Sequence, residues 1–284
     1  MIPAQFDCVR PGTVGEAVAV LAEQDNAKVL AGGQSLLPIL RLRLAYPDVV
    51  VDLGNTAGVR GIRDEGDELV IGAMTTHYEV MTSSLVREHC GLLAEATATV
   101  ADPQVRHRGT FGGSLSHADP AGDLPAVALV FGTTMILQGP NAQRSVPAEQ
   151  FFVDYLQTAA EPDEVLVEVR VPKRGAANGW GHRYEKFQRV AQAWAVVGVA
   201  ALVRRDNGRI AEARVGLVNM GTTPLRASAT EQALAGTGRS AVPEAAALAA
   251  DRTYPVNDLS GQADYRRHLA RVLTHSAVMA AAAI

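Results

Sequence analysis

Two glycine-rich segments hold the residues whose types and spacing could do chemistry. The first reads AGGQSL at residues 31–36, and the second reads RGTFGGS at residues 108–114. Glycine lets a ligand approach the backbone closely, and backbone N–H groups at the start of a helix attract anions. Two such segments from distant sequence are what a diphosphate needs, because its charges must be met by many donors. On spacing alone, two unrelated tight turns are an equally good interpretation.

More specific nucleotide motifs are absent from these segments. No Gly-x-Gly-x-x-Gly follows the first predicted strand, and no glycine-rich loop ends in Gly-Lys-Ser or Gly-Lys-Thr. The pattern therefore does not predict P-loop chemistry.

Two other kinds of site are weakly indicated. His117, Asp119 and Asp123 lie close together and could imitate a metal site, but their spacing matches no standard ligand pattern, and the Asp119-Pro120 pair is typical of a turn. Ser35 and Ser114 lie just after glycine pairs, yet neither stands in Gly-x-Ser-x-Gly, so a hydrolase nucleophile is not indicated.

Local patterns predict the elements that must position the first segment. Thr13 and Glu16 form a capping box that should start a helix. A short buried strand is predicted over residues 27–31, ended by the glycine pair, and Ser35 could cap the helix that follows. A second strand is predicted over residues 48–53. Strand, crossover and strand at this spacing predict a small βαβ unit that ends near residue 54.

The rest of the chain divides into two further pieces. A hairpin around residues 64–67, helical stretches and further strands form an α+β middle that ends near residue 174, where a linker over residues 173–179 is predicted. Three strands follow, predicted over residues 180–190, 195–204 and 209–219. The tail is rich in alanine, with helices predicted over residues 227–235, 243–250 and 265–283. The predicted pieces are therefore residues 1–54, 55–174 and 175–284.

Composition excludes several classes of protein. The chain has 284 residues, 48% hydrophobic and 20% charged, which is ordinary globular composition. A net charge of −4 gives no general basic field for nucleic acid or anionic lipid. The longest apolar run, residues 193–203, is too short to span a bilayer as a helix. No secretory signal is evident at the N-terminus, so we expect a cytoplasmic protein.

Longer stretches around the two segments resemble a known family. Residues 31–38, the RLRL at residues 41–44, and residues 104–120 together resemble the FAD-binding subunits of molybdenum hydroxylases. These are the medium chain of aerobic carbon monoxide dehydrogenase and the flavin domain of xanthine dehydrogenase. The likeness covers the whole chain, and the paired motifs at this separation are highly specific, unlike either motif alone.

The resemblance implies an α+β fold of the vanillyl-alcohol-oxidase type. It would have an N-terminal βαβ piece, a mixed α+β middle piece, and a C-terminal three-stranded antiparallel sheet with helices. FAD would lie between residues 1–54 and 55–174, with its diphosphate on both glycine-rich segments. Residues 175–284 would form the C-terminal domain of the carbon monoxide dehydrogenase flavoprotein.

The resemblance also implies which residues bind the cofactor. The family's contacts fall by position on Ala31, Gly32, Gly33, Gln34, Ser35, Leu36, Thr110, Gly112, Gly113 and Ser114. Asp123 falls near the ribose or adenine end, and Leu166 matches a backbone contact to the adenine. Lys186 matches a lysine near the flavin, where it would stabilise anionic reduced forms. Trp194 matches a side chain close to the isoalloxazine, although a core aromatic on a strand is an equal alternative.

Two positions depart from the family pattern. Relatives often carry Asn where this chain has His107, and Asp where it has Ala193. These differences affect local hydrogen bonding, and they leave the two binding segments intact.

The cysteine count bears on how such a subunit would work. Cys8 and Cys90 are the chain's two cysteines, and iron–sulfur clusters of this kind need four ligands each. Two cysteines cannot hold such clusters, so the resemblance implies that the 2Fe–2S clusters and the molybdopterin cofactor lie on a small and a large partner subunit. The resemblance also implies a dimer of heterotrimers. This chain would take electrons from the clusters onto FAD and pass them to an external acceptor such as a quinone. No general acid or base is assigned, and the complex could associate with the inner face of the membrane through its partners.

Other classes of protein stay open at this point. A stand-alone FAD-dependent oxidoreductase of the same fold superfamily would need substrate-binding and proton-donating residues in its tail. Residues 222–284 show no such cluster. A nucleotide-binding module without redox activity and a scaffold that binds nothing are the further alternatives.

Overall fold

The N-terminal piece is a parallel sheet flanked by helices. A computed structural model describes residues 2–283. The sheet has the order β1-β3-β2, and both outer strands run parallel to β3. The bounds are β1 Asp7–Val9, α1 Val14–Glu23, β2 Ala27–Leu30, α2 Leu36–Arg41 and β3 Val49–Asp52, followed by a 3-10 helix at Leu53–Asn55.

Local interactions explain most of this piece, and two details differ from the expectation. Thr13 and Glu16 form the predicted capping box, with the Glu16 N–H donating to Thr13 Oγ1 at 3.2 Å. Ser35 stands at the N-cap of α2 without a capping hydrogen bond, so the predicted cap is wrong. Strand β1 was not predicted, because its three residues are exposed and show no strand pattern.

The middle piece is an antiparallel sheet covered by short helices. The sheet has the order β4-β5-β10-β6-β7, and β8 pairs with β9 beside it. The bounds are β4 Ile62–Glu65, β5 Glu68–Gly72, α3 His77–Thr82, α4 Ser84–His89, α5 Gly91–Ala98, α6 Pro103–Arg108, α7 Phe111–His117, α8 Asp123–Phe131, β6 Thr134–Gln138, β7 Gln143–Pro147, α9 Ala148–Phe151, β8 Phe152–Asp154, β9 Gln157–Thr158 and β10 Val165–Pro172.

The C-terminal piece is a second antiparallel sheet backed by helices. Its order is β11-β12-β13-β14, so the predicted three-stranded sheet is present with a short additional edge strand. Asn207 and Gly208 both have positive φ, as the tight hairpin between β12 and β13 requires. The bounds are β11 Trp180–Phe187, β12 Val197–Asp206, β13 Arg209–Val218, β14 Leu225–Arg226, α10 Ser228–Leu234, α11 Val242–Ala247 and α12 Ala263–Ala281, with 3-10 helices at Ala176–Asn178 and Arg239–Ala241.

Helix α8 packs the middle piece against the C-terminal sheet. Every residue of α8 is buried, which agrees with its lack of a polar face. A Cβ at Gly216 on β13 would lie 2.8 Å from the Ala126 carbonyl oxygen, so glycine is needed for this close approach. Strand β12 is buried on both faces, with Ala200 in the core around α8 and Val199 in the core beneath α12. The part of the apolar run from residue 197 to residue 203 is thus explained by sheet packing. No helix in residues 2–283 is long and apolar enough to cross a membrane.

Candidate functional site

One cavity brings the two glycine-rich segments together. Its volume is about 570 Å³, and its wall contains residues from all three pieces of the chain. Every residue to which the sequence analysis assigned cofactor binding lines this cavity: Ala31, Gly32, Gly33, Gln34, Ser35, Leu36, Thr110, Gly112, Gly113, Ser114, Asp123, Leu166, Lys186 and Trp194. Their direct contact with a bound cofactor stays a prediction.

The two segments touch each other along the cavity wall. A Cβ at Gly32 would lie 2.6 Å from Gly109 Cα and would overlap the Arg108 carbonyl group. A Cβ at Gly113 would lie 3.3 Å from Ala31 Cβ. Gly32 and Gly113 are therefore needed for contact within the protein as well as for access by a ligand.

The first segment presents a row of unused backbone donors. None of the N–H groups of residues 32–36 has a hydrogen-bond partner in the part of the chain that the structure describes. Gly33 has φ +75°, a left-handed conformation that glycine adopts without strain. Successive N–H groups in such a turn form an anion-binding concavity, because each carries a partial positive charge. The segment therefore fits a diphosphate.

The second segment does not provide the free backbone donors that its glycine pattern suggested. Its residues 111–117 form helix α7 rather than a loop. The Gly112 N–H donates to the Ala73 carbonyl at 2.9 Å, and the Gly113 N–H donates to Thr110 Oγ1 at 3.1 Å. The Ser114 N–H is also used, by the Thr110 carbonyl at 3.0 Å. This segment thus offers hydroxyl groups and a surface without side chains, while the backbone donors come from the first segment.

A buried ion pair forms part of the cavity wall. Lys186 Nζ lies 2.8 Å from Asp123 Oδ2, and both side chains are almost completely buried. The ammonium group also donates to the Thr99 carbonyl at 3.1 Å, and the Tyr184 hydroxyl donates to Asp123 Oδ1 at 2.5 Å. Burial raises the pKa of the Asp123 carboxyl, and the Lys186 ammonium and the Tyr184 hydroxyl oppose that rise. Burial and the neighbouring carboxylate raise the pKa of Tyr184, which keeps its hydroxyl a donor.

This pairing changes the separate roles that the resemblance suggested for the two residues. Asp123 and Lys186 are in direct contact, so they cannot lie at opposite ends of an extended dinucleotide. The ammonium charge is balanced by the carboxylate, so its attraction for an anionic reduced flavin is weaker than that of a lone lysine. We therefore regard the pair as one neutral element of the wall.

Leu166 and Trp194 lie at different depths of the cavity. Leu166 is buried on β10, next to a register shift between Leu166 and Glu168 in the pairing with β6. Trp194 is 57% exposed and lies in the loop between β11 and β12. The alternative interpretation of Trp194 as a core aromatic on a strand is therefore wrong.

His107, one of the two departures from the family pattern, has an aromatic contact in this structure. Its imidazole stacks on the ring of Tyr78 with 4.0 Å between the ring centroids. Ala193, the other departure, lines the cavity beside Trp194.

His77 also lines the cavity, although no sequence pattern predicted it. Its side chain is buried, and its Nδ1 has no hydrogen-bond partner within residues 2–283. A Cβ at Gly109 would lie 3.0 Å from His77 Nε2, so the imidazole packs on the backbone of the second segment. Burial, together with the nearby Arg106 charge, lowers the pKa of His77 to about 4. A single histidine at the start of a helix does not indicate a buried residue of the cavity wall, because its burial depends on the packing of distant segments.

Replacing His77 by Gln should change how stability depends on pH. The unfolded state binds the His77 proton below pH 6.5, and the folded state binds it only near pH 4. The wild type should therefore lose stability as the pH falls between these values, by up to roughly 3 kcal/mol from this residue. His77→Gln should lose less stability over the same interval in urea unfolding at a series of pH values. His268→Gln, at an exposed position, is the matched control. Parallel pH profiles for His77→Gln and the wild type would show that His77 does not have this effect.

The metal-site alternative finds no ligand cluster among residues 2–283, where no group of three His, Cys, Asp or Glu side chains could hold a metal ion. Gly122 donates to the Asp119 carbonyl at 2.9 Å, which is the turn expected from Asp119-Pro120. Burial raises the pKa of the Cys90 thiol to about 12, which disfavours the nucleophilic thiolate form.

The fold and the cavity together define a dinucleotide-binding subunit. Comparison with known proteins agrees in detail. Residues 4–174 match the family of FAD-binding domains in molybdopterin dehydrogenases, and residues 182–281 match the C-terminal domain of carbon monoxide dehydrogenase flavoproteins. The carbon monoxide dehydrogenase medium chain of Hydrogenophaga pseudoflava is 41% identical, over 99% of this chain and 98% of the relative. The nicotine 6-hydroxylase medium subunit of Paenarthrobacter nicotinovorans is 34% identical, over 96% of each chain.

Solved structures show the same likeness. A carbon monoxide dehydrogenase from Hydrogenophaga pseudoflava superposes with a TM-score of 0.96 at 43% identity, covering 99% of this chain and 98% of that chain. Quinoline 2-oxidoreductase from Pseudomonas putida 86 superposes with a TM-score of 0.94 at 34% identity, with the same coverage. The chain belongs to the family of FAD-binding medium subunits of molybdenum hydroxylases, the oxidoreductases that include carbon monoxide dehydrogenase and xanthine dehydrogenase.

Proposed function

We propose that this chain is the electron-relay subunit of a molybdenum hydroxylase of the aerobic carbon monoxide dehydrogenase type, with FAD in the cavity described above. The observation that carries the proposal is the row of unbonded N–H groups at residues 32–36, beside the second segment in one cavity. These donors would hold the diphosphate, and the hydroxyls of Thr110 and Ser114 would complete its surroundings. FAD supplies the redox chemistry, and the chain supplies binding, orientation and exclusion of water.

The same proposal assigns each end of the cofactor to a part of the wall. The buried Leu166 lies on the side proposed for the adenine, where an apolar surface fits a base. Trp194, in its exposed loop, lies on the side proposed for the isoalloxazine ring. The Asp123–Lys186 pair adds hydrogen-bonding groups without adding net charge to the site.

We place the remaining redox centres on partner subunits. Relatives of this chain are described as medium chains or medium subunits, which are parts of larger enzymes. Electrons would arrive from 2Fe–2S clusters on a small subunit and leave to an external acceptor such as a quinone. A large subunit would hold the molybdopterin cofactor and select the substrate, in a dimer of heterotrimers. Attachment to the inner face of a membrane through these partners is part of the same proposal.

Purification of the chain alone and with its partners tests this function. The chain alone should carry a yellow cofactor that acid releases as intact FAD, identified by its mass, and should oxidise no substrate. In the complete complex under anaerobic conditions, substrate should bleach the flavin absorbance. Substrate oxidation by the isolated chain would instead support a stand-alone oxidoreductase, and a colourless complex would contradict both.

A further inference from the structure

The loop over residues 188–196 carries Trp194 to the mouth of the cavity. Gln192, Ala193 and Trp194 line the cavity, and Trp194 is more than half exposed. A loop with so little burial has few contacts of its own to hold it in one position. Besides the Val196 N–H, which donates to the Phe187 carbonyl at 2.8 Å, the contacts that hold it come from two distant parts of the chain.

Arg266 makes the first of these contacts, from helix α12. Its side chain is completely buried, which is costly for a guanidinium group. Nη1 donates to the Val196 carbonyl at 2.6 Å, and Nη2 pairs with Asp258 Oδ2 at 2.6 Å. Arg266 Nε has no hydrogen-bond partner in the described chain, so even this arrangement leaves one donor unused. An apolar residue would fill the space without the desolvation free energy that a buried guanidinium group costs, which indicates that the position has a role beyond packing.

Asn219 makes the second contact, from the end of β13. Its Nδ2 donates to the Ala195 carbonyl at 2.8 Å, and its own N–H donates to the Pro120 carbonyl at 2.8 Å. The carbonyl groups of the two residues that follow Trp194 are therefore held by two different side chains. Asn219 also links the loop to the segment that precedes helix α8.

Further contacts connect the start of this loop to the tail. Arg189 Nη1 donates to the Leu259 carbonyl at 2.7 Å. The ring of Tyr265, the neighbour of Arg266 on α12, meets the ring of Phe187 edge-on, with 6.1 Å between centroids. The C-terminal tail thus holds the loop at both of its ends.

We propose that Arg266, together with Asn219, is a positioning residue for Trp194 and thereby controls the exposure of the flavin end of the cavity to solvent. The inference rests on the proposed placement of FAD. Without the guanidinium group, the Val196 carbonyl loses its 2.6 Å donor and keeps the longer contact from Asn219 Nδ2 at 3.4 Å, and the loop loses its link to α12. Trp194 then no longer keeps one position at the mouth, and small solutes reach the bound flavin more easily.

Arg266→Met tests the proposal with two readouts that do not depend on activity. The first is the rate of trypsin cleavage after Arg189, which lies exposed at the start of the loop. We expect cleavage to become about tenfold faster in the variant, because local opening of the loop becomes easier. The second is quenching of flavin fluorescence by iodide, which should increase while the FAD content stays unchanged. Arg266→Lys should restore part of the wild-type behaviour, since an ammonium group can reach one of the two partners.

Arg214→Met is the matched control. Arg214 also donates from a partly buried guanidinium group to a backbone carbonyl, that of Val130 at 2.6 Å, but it does not contact the loop. Loss of general stability should appear in both variants, whereas faster cleavage after Arg189 should appear in Arg266→Met alone. Equal cleavage rates and equal quenching in the wild type and Arg266→Met would overturn the proposal.

A second variant covers the case in which Arg266→Met does not fold. Asn219→Gly keeps the positive φ of this position, +63°, and removes the amide donor. It should also speed cleavage after Arg189, and an unchanged rate would contradict the proposal. If the wild type holds no flavin, the proposed function fails on that result, and the trypsin assay still decides whether Arg266 and Asn219 position the loop.

Discussion

Gly32→Ala should weaken FAD binding by a factor of about 100 or more, equivalent to about 3 kcal/mol. The new Cβ would lie 2.6 Å from Gly109 Cα, and backbone on both sides leaves no flexible side chain that could move away. The two segments would have to separate, and the diphosphate site would lose its shape. Fluorescence titration of flavin-free protein with FAD measures the effect.

Gly15→Ala is the control for this substitution. Gly15 lies exposed in helix α1, with open space where its Cβ would be. Alanine there should leave FAD affinity unchanged and stabilise the helix slightly. FAD affinity of Gly32→Ala equal to that of Gly15→Ala would contradict the placement of the diphosphate.

Gly33→Val should also abolish FAD retention, because φ +75° strains a β-branched residue and its Cβ would crowd Leu37.

Lys186→Met should lower the free energy of unfolding by about 3–5 kcal/mol near neutral pH. The substitution leaves the Asp123 carboxylate buried with the Tyr184 hydroxyl and without a counter-ion. A double variant, Asp123→Asn with Lys186→Met, removes the unpaired charge and keeps an oxygen for the Tyr184 hydroxyl. It should be more stable than Lys186→Met alone. Urea unfolding of the wild type, both single variants and the double variant measures the coupling.

The pH dependence of Lys186→Met follows from the direction of the Asp123 pKa. Burial raises this pKa above its ordinary 3.8, and loss of the ammonium group raises it further. The folded variant then binds the proton more tightly than the unfolded chain, so its stability falls as the pH rises between the two pKa values. The free energy of unfolding of Lys186→Met should therefore fall short of the wild-type value by less at about pH 5 than at about pH 8. A deficit that is constant over this range would show that Asp123 is not the buried charge responsible.

Features encoded by neighbouring residues were predicted well. The capping box at Thr13 and the hairpin around residues 64–67 involve residues a few positions apart, so their patterns are visible in the sequence. The division into a βαβ piece, an α+β middle and an antiparallel sheet with helices followed from the same periodicities. The edge strands β1 and β14 were missed, since strands of three and two residues depend on a partner strand rather than on their own pattern.

The sequence predicted a set of residues for the candidate site, but it did not predict the contacts among them. Residues 111–117 were interpreted as part of a glycine-rich loop, yet they form a helix whose first N–H groups bond to the chain itself. His77 was absent from the set, because an isolated histidine becomes a wall residue only when the second segment packs on it. The roles of Asp123 and Lys186 were assigned separately, because residues so far apart in sequence give no sign of a 2.8 Å contact.

The sequence by itself determined the family, the positions of the two segments and the approximate boundaries of several strands and helices in the N-terminal and C-terminal pieces, because motifs and periodicity are local properties. Only the tertiary structure decided which backbone donors remain free for an anion, which charges neutralise each other, and that Arg266 reaches the loop of Trp194. Each of these depends on a distance between groups that are far apart in the chain. Such distances are fixed when sheets and helices pack against each other, because this packing determines which polar groups form hydrogen bonds and which side chains are buried.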